Sequence, residues 1–266
     1  MLDFSLKSYI EFIKLIKSNY KNIFTFNEFL NLKLIPDSFC LLRHDVDRRP
    51  LNALKMAEIE KEFNIKSTYY FRTKKNVFNP KIIELIASHG HELGYHYESL
   101  SDAKGDFIQA INDFEKNLIE FRKYADVKTI SMHGRPLSKY DNRDLWKNEE
   151  NQKLLSTKFG ITGEIYINID YSDILYLNDT GRNWHTNKNN VRDFTNSKII
   201  KNFKNTKELL KYFKTKPHKK LVFQIHPERW SDNIGSYLYQ YGKDSISNSA
   251  KKILRYRPEI NSKTGG

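Results

Sequence analysis

The run LLRHDVDRRP, residues 41–50, sets two carboxylates one residue apart, Asp45 and Asp47, behind His44 and among Arg43, Arg48 and Arg49, where a hydrophobic stretch ends. Neutralisation by the flanking arginines is the plainer use of such a pair, because exposed ion pairs are common and contribute only about 0–1 kcal/mol. The sharper use is a metal ligand beside a base. What else meets the pair in space decides between them. Arg72, His96, His133 with Arg135, and His226 each close a short β-rich run further along the chain. A single histidine at a strand end is more often a satisfied structural residue than a ligand. Three on separate strands, joined by a carboxylate pair, shift the reading towards a metal site. Imidazole nitrogens and one carboxylate with one position left open suit a catalytic zinc or a similar divalent ion. Such an ion lowers the pKa of a water and polarises a carbonyl.

The elements that must position these residues are legible from pattern. FCLLRH (39–44), STYYFR (67–72), HELGYH (91–96) and TISMHG (129–134) read as strands, each ending in polar residues. Their spacing, roughly 25 to 35 residues, is that of βαβ units. Ala53, Met56, Ile59 and Phe63 form one intervening helical stripe, and Phe107, Ile111, Phe114, Leu118 and Phe121 another. A helix between them has Asn79 as its N-cap, Pro80 at its first position and Gly90 just past its end. ITGEIYINI, DILYLND and LVFQIH read as further strands and NTKELLKYF as a helix. Parallel strands joined by right-handed crossovers predict an α/β fold, a distorted (β/α) barrel of about seven parallel strands whose C-terminal strand ends share one rim. An open doubly wound sheet competes with it, but no Gly-rich phosphate fingerprint follows the first strand.

Composition bounds the rest. At 266 residues with 39% hydrophobic and 14% aromatic residues, the chain is an ordered globular protein with one principal domain. Residues 1–37 are expected to form a helical extension packed on the barrel, 38–230 the barrel, and 231–266 a C-terminal extension. The first of these carries Leu6, Tyr9, Ile13, Ile16 and Tyr20 on one helical face, interrupted by lysines too often for a signal peptide. Lone Cys40 excludes an internal disulfide framework and, with no export signal read, favours the cytoplasm. The net charge of +13 fits an anionic partner such as a phosphate-bearing substrate. It does not single out nucleic acid, because the lysines are spread along the chain and no zinc-finger or RNA-recognition signature accompanies them. No stretch is long and apolar enough to span a membrane.

HDVD followed by GHELGYHYESL and the closing HPERW resembles the polysaccharide deacetylase family, the NodB-homology or carbohydrate esterase 4 group, in particular a divergent branch associated with surface-polysaccharide genes. The resemblance covers roughly residues 38–230. It implies a distorted β/α barrel that removes N-acetyl groups from sugars with one divalent metal, zinc foremost. By position it implies Asp45 as general base, Asp47 and His96 as metal ligands, Arg135 of GRP as the residue that orients the base, and His226 as the general acid. One departure is plain: the family's second motif supplies two histidines four apart, and the second place here is Leu100. His133, ending the next strand, is the first candidate for the vacant ligand, ahead of Glu98 and His91. The glycine usual after the aspartates is also replaced, by RRP.

Other residues carry two readings each. Trp184 and Trp230 offer indole faces for a sugar, or packing for the rim. Arg72 and Arg182 offer contacts to substrate, against an ion pair with a rim carboxylate and a loop network that includes Asp179 and His185. Two functions from different classes follow. One is a metal-dependent hydrolase of non-peptide C–N bonds acting on a nucleotide-, lipid- or glycan-linked N-acetyl sugar, in lipopolysaccharide or other surface-polysaccharide synthesis. The other is a degenerate barrel that binds glycan or protein without hydrolysis.

Overall fold

A computed structural model describes residues 2–135, 138–186 and 192–231, together with positions 235, 237, 238, 240 and 242. Most of the expected C-terminal extension, and Pro136 of GRP, lie outside the described residues. The chain alternates helix and strand as its pattern dictates. α1 (Leu6–Asn19) and β1 (Ile23–Phe24) lead to α2 (Phe26–Leu30), β2 (Phe39–Val46), α3 (Pro50–Glu62), β3 (Thr68–Phe71), α4 (Pro80–Ser88) and β4 (Glu92–Tyr97). A four-residue α5 (Ser99–Asp102), α6 (Phe107–Phe121) and β5 (Thr129–Met132) follow. The second half holds α7 (Glu149–Thr157), β6 (Gly163–Glu164), β7 (Leu175–Asn178), β8 (Trp184–His185), β9 (Asn202–Phe203), α8 (Thr206–Thr215) and β10 (Lys220–Ile225). Helix starts are fixed locally: the side chains of Asn79, Asp106 and Asn205 each accept the backbone N–H three residues on.

Seven strands lie parallel in the order β6-β5-β4-β3-β2-β10-β7, and β8 and β9 extend the sheet antiparallel. β1 adds a further parallel pairing at Cys40 and Leu41, at the start of β2. The expected α/β architecture of about seven parallel strands is therefore what forms. Of ITGEIYINI only Gly163–Glu164 pairs as strand, because the Glu164 carboxylate accepts the N–H groups of Tyr166 and Ile167 and turns the chain away.

Strand alternation sorts side chains onto two faces. One face, including Leu42, Tyr69, Phe71, Tyr95, Tyr97, Ile130 and Phe223, packs beneath the helices in two apolar clusters. α1 contributes Tyr9, Phe12, Ile13 and Ile16 to one of them, against α3 and α8. The opposite face carries an aromatic and aliphatic floor of Phe39, Leu41, Tyr70, Tyr176 and Val222, closed by Phe26, Phe29 and residues 165–174. Gly94 makes room for that floor, since a Cβ there would lie 2.3 Å from the Tyr70 ring. Further along the same strands this face turns polar, and there the functional residues gather.

His44 points to the helical side. It joins a fully buried network in which the Glu60 carboxylate meets His44 Nε2 at 2.7 Å and accepts from the hydroxyls of Tyr69, at 2.6 Å, and Tyr9. Burial pushes the Glu60 carboxyl up, but His44 charge and hydrogen bonding pull it down further, to about 2 against an ordinary 4.5. A depressed carboxylate stabilises the fold above its unfolded pKa and loses that contribution as pH falls through its folded value, so the window runs from about pH 4.5 down to about 2. The share at stake is roughly 3 kcal/mol. Acid unfolding followed by circular dichroism should show wild type losing stability relative to Glu60→Gln across that window; parallel curves would remove Glu60 from the acid transition.

Candidate active site

Asp47, His96 and His133 come together at the C-terminal ends of three strands. Their ligand atoms all lie within 4.8 Å of one another. Asp47 Oδ1 stands 3.4 Å from His96 Nε2 and 3.5 Å from His133 Nε2. These separations suit ligands about 2 Å from a shared ion. Both rings are fixed from behind. His96 Nδ1 lies 2.9 Å from the carbonyl oxygen of Ser131, its register partner on β5, and His133 Nδ1 lies 3.0 Å from Glu98 Oε2. A carbonyl and a carboxylate only accept, so each Nδ1 holds a proton and each Nε2 faces the cluster, the arrangement of metal-binding imidazoles. Glu98 is in turn gripped by Arg72 at 2.9 and 3.1 Å and by Lys74 at 3.3 Å.

The donor set fits a divalent cation. Asp47 Oδ1 is buried and has no hydrogen-bond partner. Burial opposes its ionisation, yet His133 and His96 hold the carboxyl well below the usual carboxylate range. Burial lowers His133, and the nearby Asp47 charge with the hydrogen bond to Glu98 outweighs it, raising the imidazole to about 9. The cluster thus favours a positive charge at its centre, which a bound cation would supply. Leu100 is buried in the apolar cluster beneath α6 and offers the site nothing.

Asp45 lies beside this cluster, its Oδ2 3.5 Å from His96 Nε2. Arg43, two residues back on the same strand face, donates through Nε at 2.6 Å and Nη2 at 2.7 Å, a bidentate grip. Gln224 Nε2, on the neighbouring β10, adds a third hydrogen bond at 2.7 Å. Three donors on a carboxylate with about four acceptor sites leave one free. Burial raises the Asp45 carboxyl, but Arg43, His96 and His226 together lower it below its ordinary value. Arg43 itself is wholly buried and braced by Tyr176 at 3.1 Å and Ser131 at 2.5 Å.

His226 follows β10. Its Nδ1 lies 2.6 Å from Asp179 Oδ1, and its backbone N–H donates to Asp179 Oδ2 at 3.0 Å. Asp179 also accepts from Arg229 at 2.7 Å and from the Trp230 indole at 3.1 Å. Burial and Arg229 depress the His226 imidazole, but Asp179 outweighs them and raises it above 6.5. Asp179 thus favours the charged form of an imidazole that lies within electrostatic reach of Asp45.

Several expected placements differ. Arg135 does not reach Asp45: its backbone is left-handed, φ +32°, and its guanidinium turns to Asp102, with Glu98 3.8 Å away. Arg43 occupies the role expected of it. Trp184 and Trp230 are fully buried, packed with Phe4 and near each other, so neither indole face is open to a sugar. Their cover comes from α1 and the segment before it, a long-range contact that strand-end position does not reveal. Arg72 forms the rim ion pair with Glu98. Arg182 stacks over the rings of Phe4 and Tyr237, 5.8 and 4.6 Å from their centroids. Two residues outside the expected catalytic set are Arg43, whose spacing of two from Asp45 puts both on one strand face, and Asp179, which ends β7 as the other polar residues end their strands.

Among the described residues no helix is long and apolar enough to cross a membrane. No family model and no curated protein matches the chain. Solved structures similar to it include a CE4 family pseudoenzyme from Bacillus anthracis, at 14% identity over 79% of this chain, with a TM-score of 0.42. This chain spans 62% of the length of that protein. A family 4 carbohydrate esterase from Bacillus anthracis is similar at 11% identity over 91% of this chain and 86% of its own, TM-score 0.43. The catalytic domain of a peptidoglycan N-acetylglucosamine deacetylase from Eubacterium rectale is similar at 12% identity over 81% and 87%, TM-score 0.44. Likenesses this slight do not weigh on activity, which rests on the chain's own side chains.

Proposed function

We propose that the protein is a metal-dependent hydrolase that removes the N-acetyl group from a sugar. The observation that carries the proposal is the pairing at the end of β2: Asp47 enters a three-residue metal cluster while Asp45, two residues away, is held out of it by Arg43 and Gln224. Asp47, His96 and His133 would hold the ion, and zinc suits two imidazoles and a carboxylate. When bound, such an ion acidifies a water and polarises the acyl carbonyl. Asp45 takes the proton of the attacking water through its remaining acceptor site. His226, charged through Asp179, gives a proton to the amine nitrogen as the C–N bond breaks. The N-acetyl sugar itself is inferred from the resemblance of HDVD and GHELGYHYESL to the deacetylase motifs. A place in surface-polysaccharide synthesis in the cytoplasm extends the same reading, with buried, unpaired Cys40 in its favour.

Elemental analysis of tag-free protein prepared without chelator should find about one equivalent of zinc or a similar ion, nearly all of it lost in His96→Ala. Acetate release from N-acetyl sugars is then the activity to screen. Leu100, apolar where a second ligand is expected, favours a degenerate glycan- or protein-binding barrel instead. Wild type that takes up no metal after reconstitution and dialysis would establish that reading.

A further inference from the structure

A cavity of about 520 Å³ adjoins the candidate centre, and His133 lines it. That volume lies within the range of small-molecule sites, about 300–1,000 Å³. The lining also carries Lys104, Arg135 and Lys139 with the hydroxyl residues Ser101, Ser138 and Tyr140. The cations outnumber the single carboxylate in the lining, Asp102. Asp102 is already engaged by Lys74 at 2.6 Å and by Arg135. Lys104 and Lys139 have no carboxylate partner among the described residues.

This wall is fastened to the centre. Asn142, fully buried, accepts the Ser101 N–H at 2.9 Å and donates to the carbonyl oxygen of His133 at 2.8 Å. Lys104 and Arg135 both hold left-handed backbone, φ +51° and +32°, which non-glycine residues seldom adopt without a structural reason. In the Lys104 turn, the Tyr140 ring occupies the space a Cβ on Gly105 would need, 2.2 Å from it, so position 105 must be glycine. The turn that presents Lys104 is thus locked against the wall that presents Lys139.

We propose that this cavity is a subsite for a phosphate ester on the same sugar whose N-acyl group faces Asp45, an inference that rests on the hydrolase reading above. Two ammonium groups and several hydroxyls suit the many acceptor oxygens of a phosphate, for which lysine acts as a point charge. A carboxylate calls for the open fork of a guanidinium, and Arg135 has committed part of its fork to Asp102. On one sugar ring the acetamido group and a neighbouring phosphate would reach the two sides of His133 together.

The test is calorimetric titration of the full chain with N-acetylglucosamine, its 1-phosphate and the corresponding uronic acid, alongside Lys104→Ala/Lys139→Ala and with metal content measured in each sample. Both lysines are exposed, so the double variant leaves the core intact. The phosphate ester is expected to bind about tenfold more tightly than the neutral sugar, with the advantage lost in the double variant and metal content unchanged. A phosphate ester that binds no better, or an advantage that survives in the double variant, would overturn the subsite. Preference for the uronic acid would overturn it in favour of a carboxylate site. Binding is read without turnover, so an inactive or metal-free wild type bears on the hydrolase reading and leaves the subsite measurement standing.

Discussion

Asp45→Asn should lower acetate release by about 100- to 10,000-fold, the span of a general base, while metal content stays at the wild-type level. The carboxylate accepts from Arg43 twice and from Gln224 once. An amide in its place points an NH₂ at one of these donors and has no basic lone pair to receive a proton. The metal cluster keeps its three donors, because Asp45 is not one of them and His96 and His133 are fixed from behind by Ser131 and Glu98. Asp47→Ala should lose metal and turnover together. Equal loss of metal from the two variants would mean that the carboxylates share one role, and the division between base and ligand would fall.

The second large effect is expected at Arg43. Arg43→Met strands a buried carboxylate with one neutral hydrogen bond, which typically costs about 3–5 kcal/mol. For a chain of this size that is roughly a 10 °C fall in melting temperature. Activity should fall as well, since burial then drives the Asp45 carboxyl upward and favours its protonated form. Removing both charges separates the two effects: Arg43→Met/Asp45→Leu should recover most of the stability and none of the turnover. A single variant that keeps both properties would show that Gln224 alone positions Asp45.

The pairing of Arg43 with Asp45 joins in space two features that the sequence offers as alternatives. A flanking arginine as counter-ion and an aspartate as base are alternatives in the sequence, yet one strand face puts Arg43 and Asp45 in a single ion pair that would also fix the proposed base. The strands, their polar ends and the faces of His96 and Asp47 follow from alternation, which is local. Arg135 could not be placed that way, because one left-handed residue after β5 redirects its side chain to α5. The burial of Trp184 and Trp230 was equally hidden, for it depends on Phe4 and α1, more than 170 residues earlier. Asp179 reads in the sequence only as part of a loop network, because its partner His226 lies 47 residues away, just after β10. The third donor of the cluster is His133, 3.5 Å from Asp47 Oδ1, a distance that strand-end position alone does not give.

The aromatic floor beneath Arg43 has a consequence for traffic. Phe39, Leu41, Tyr70 and Val222 are each completely buried, so the strand bundle is a cup and not a pipe. A ligand that reached Asp45 would therefore have to enter and leave by the rim, because the floor beneath Arg43 is closed.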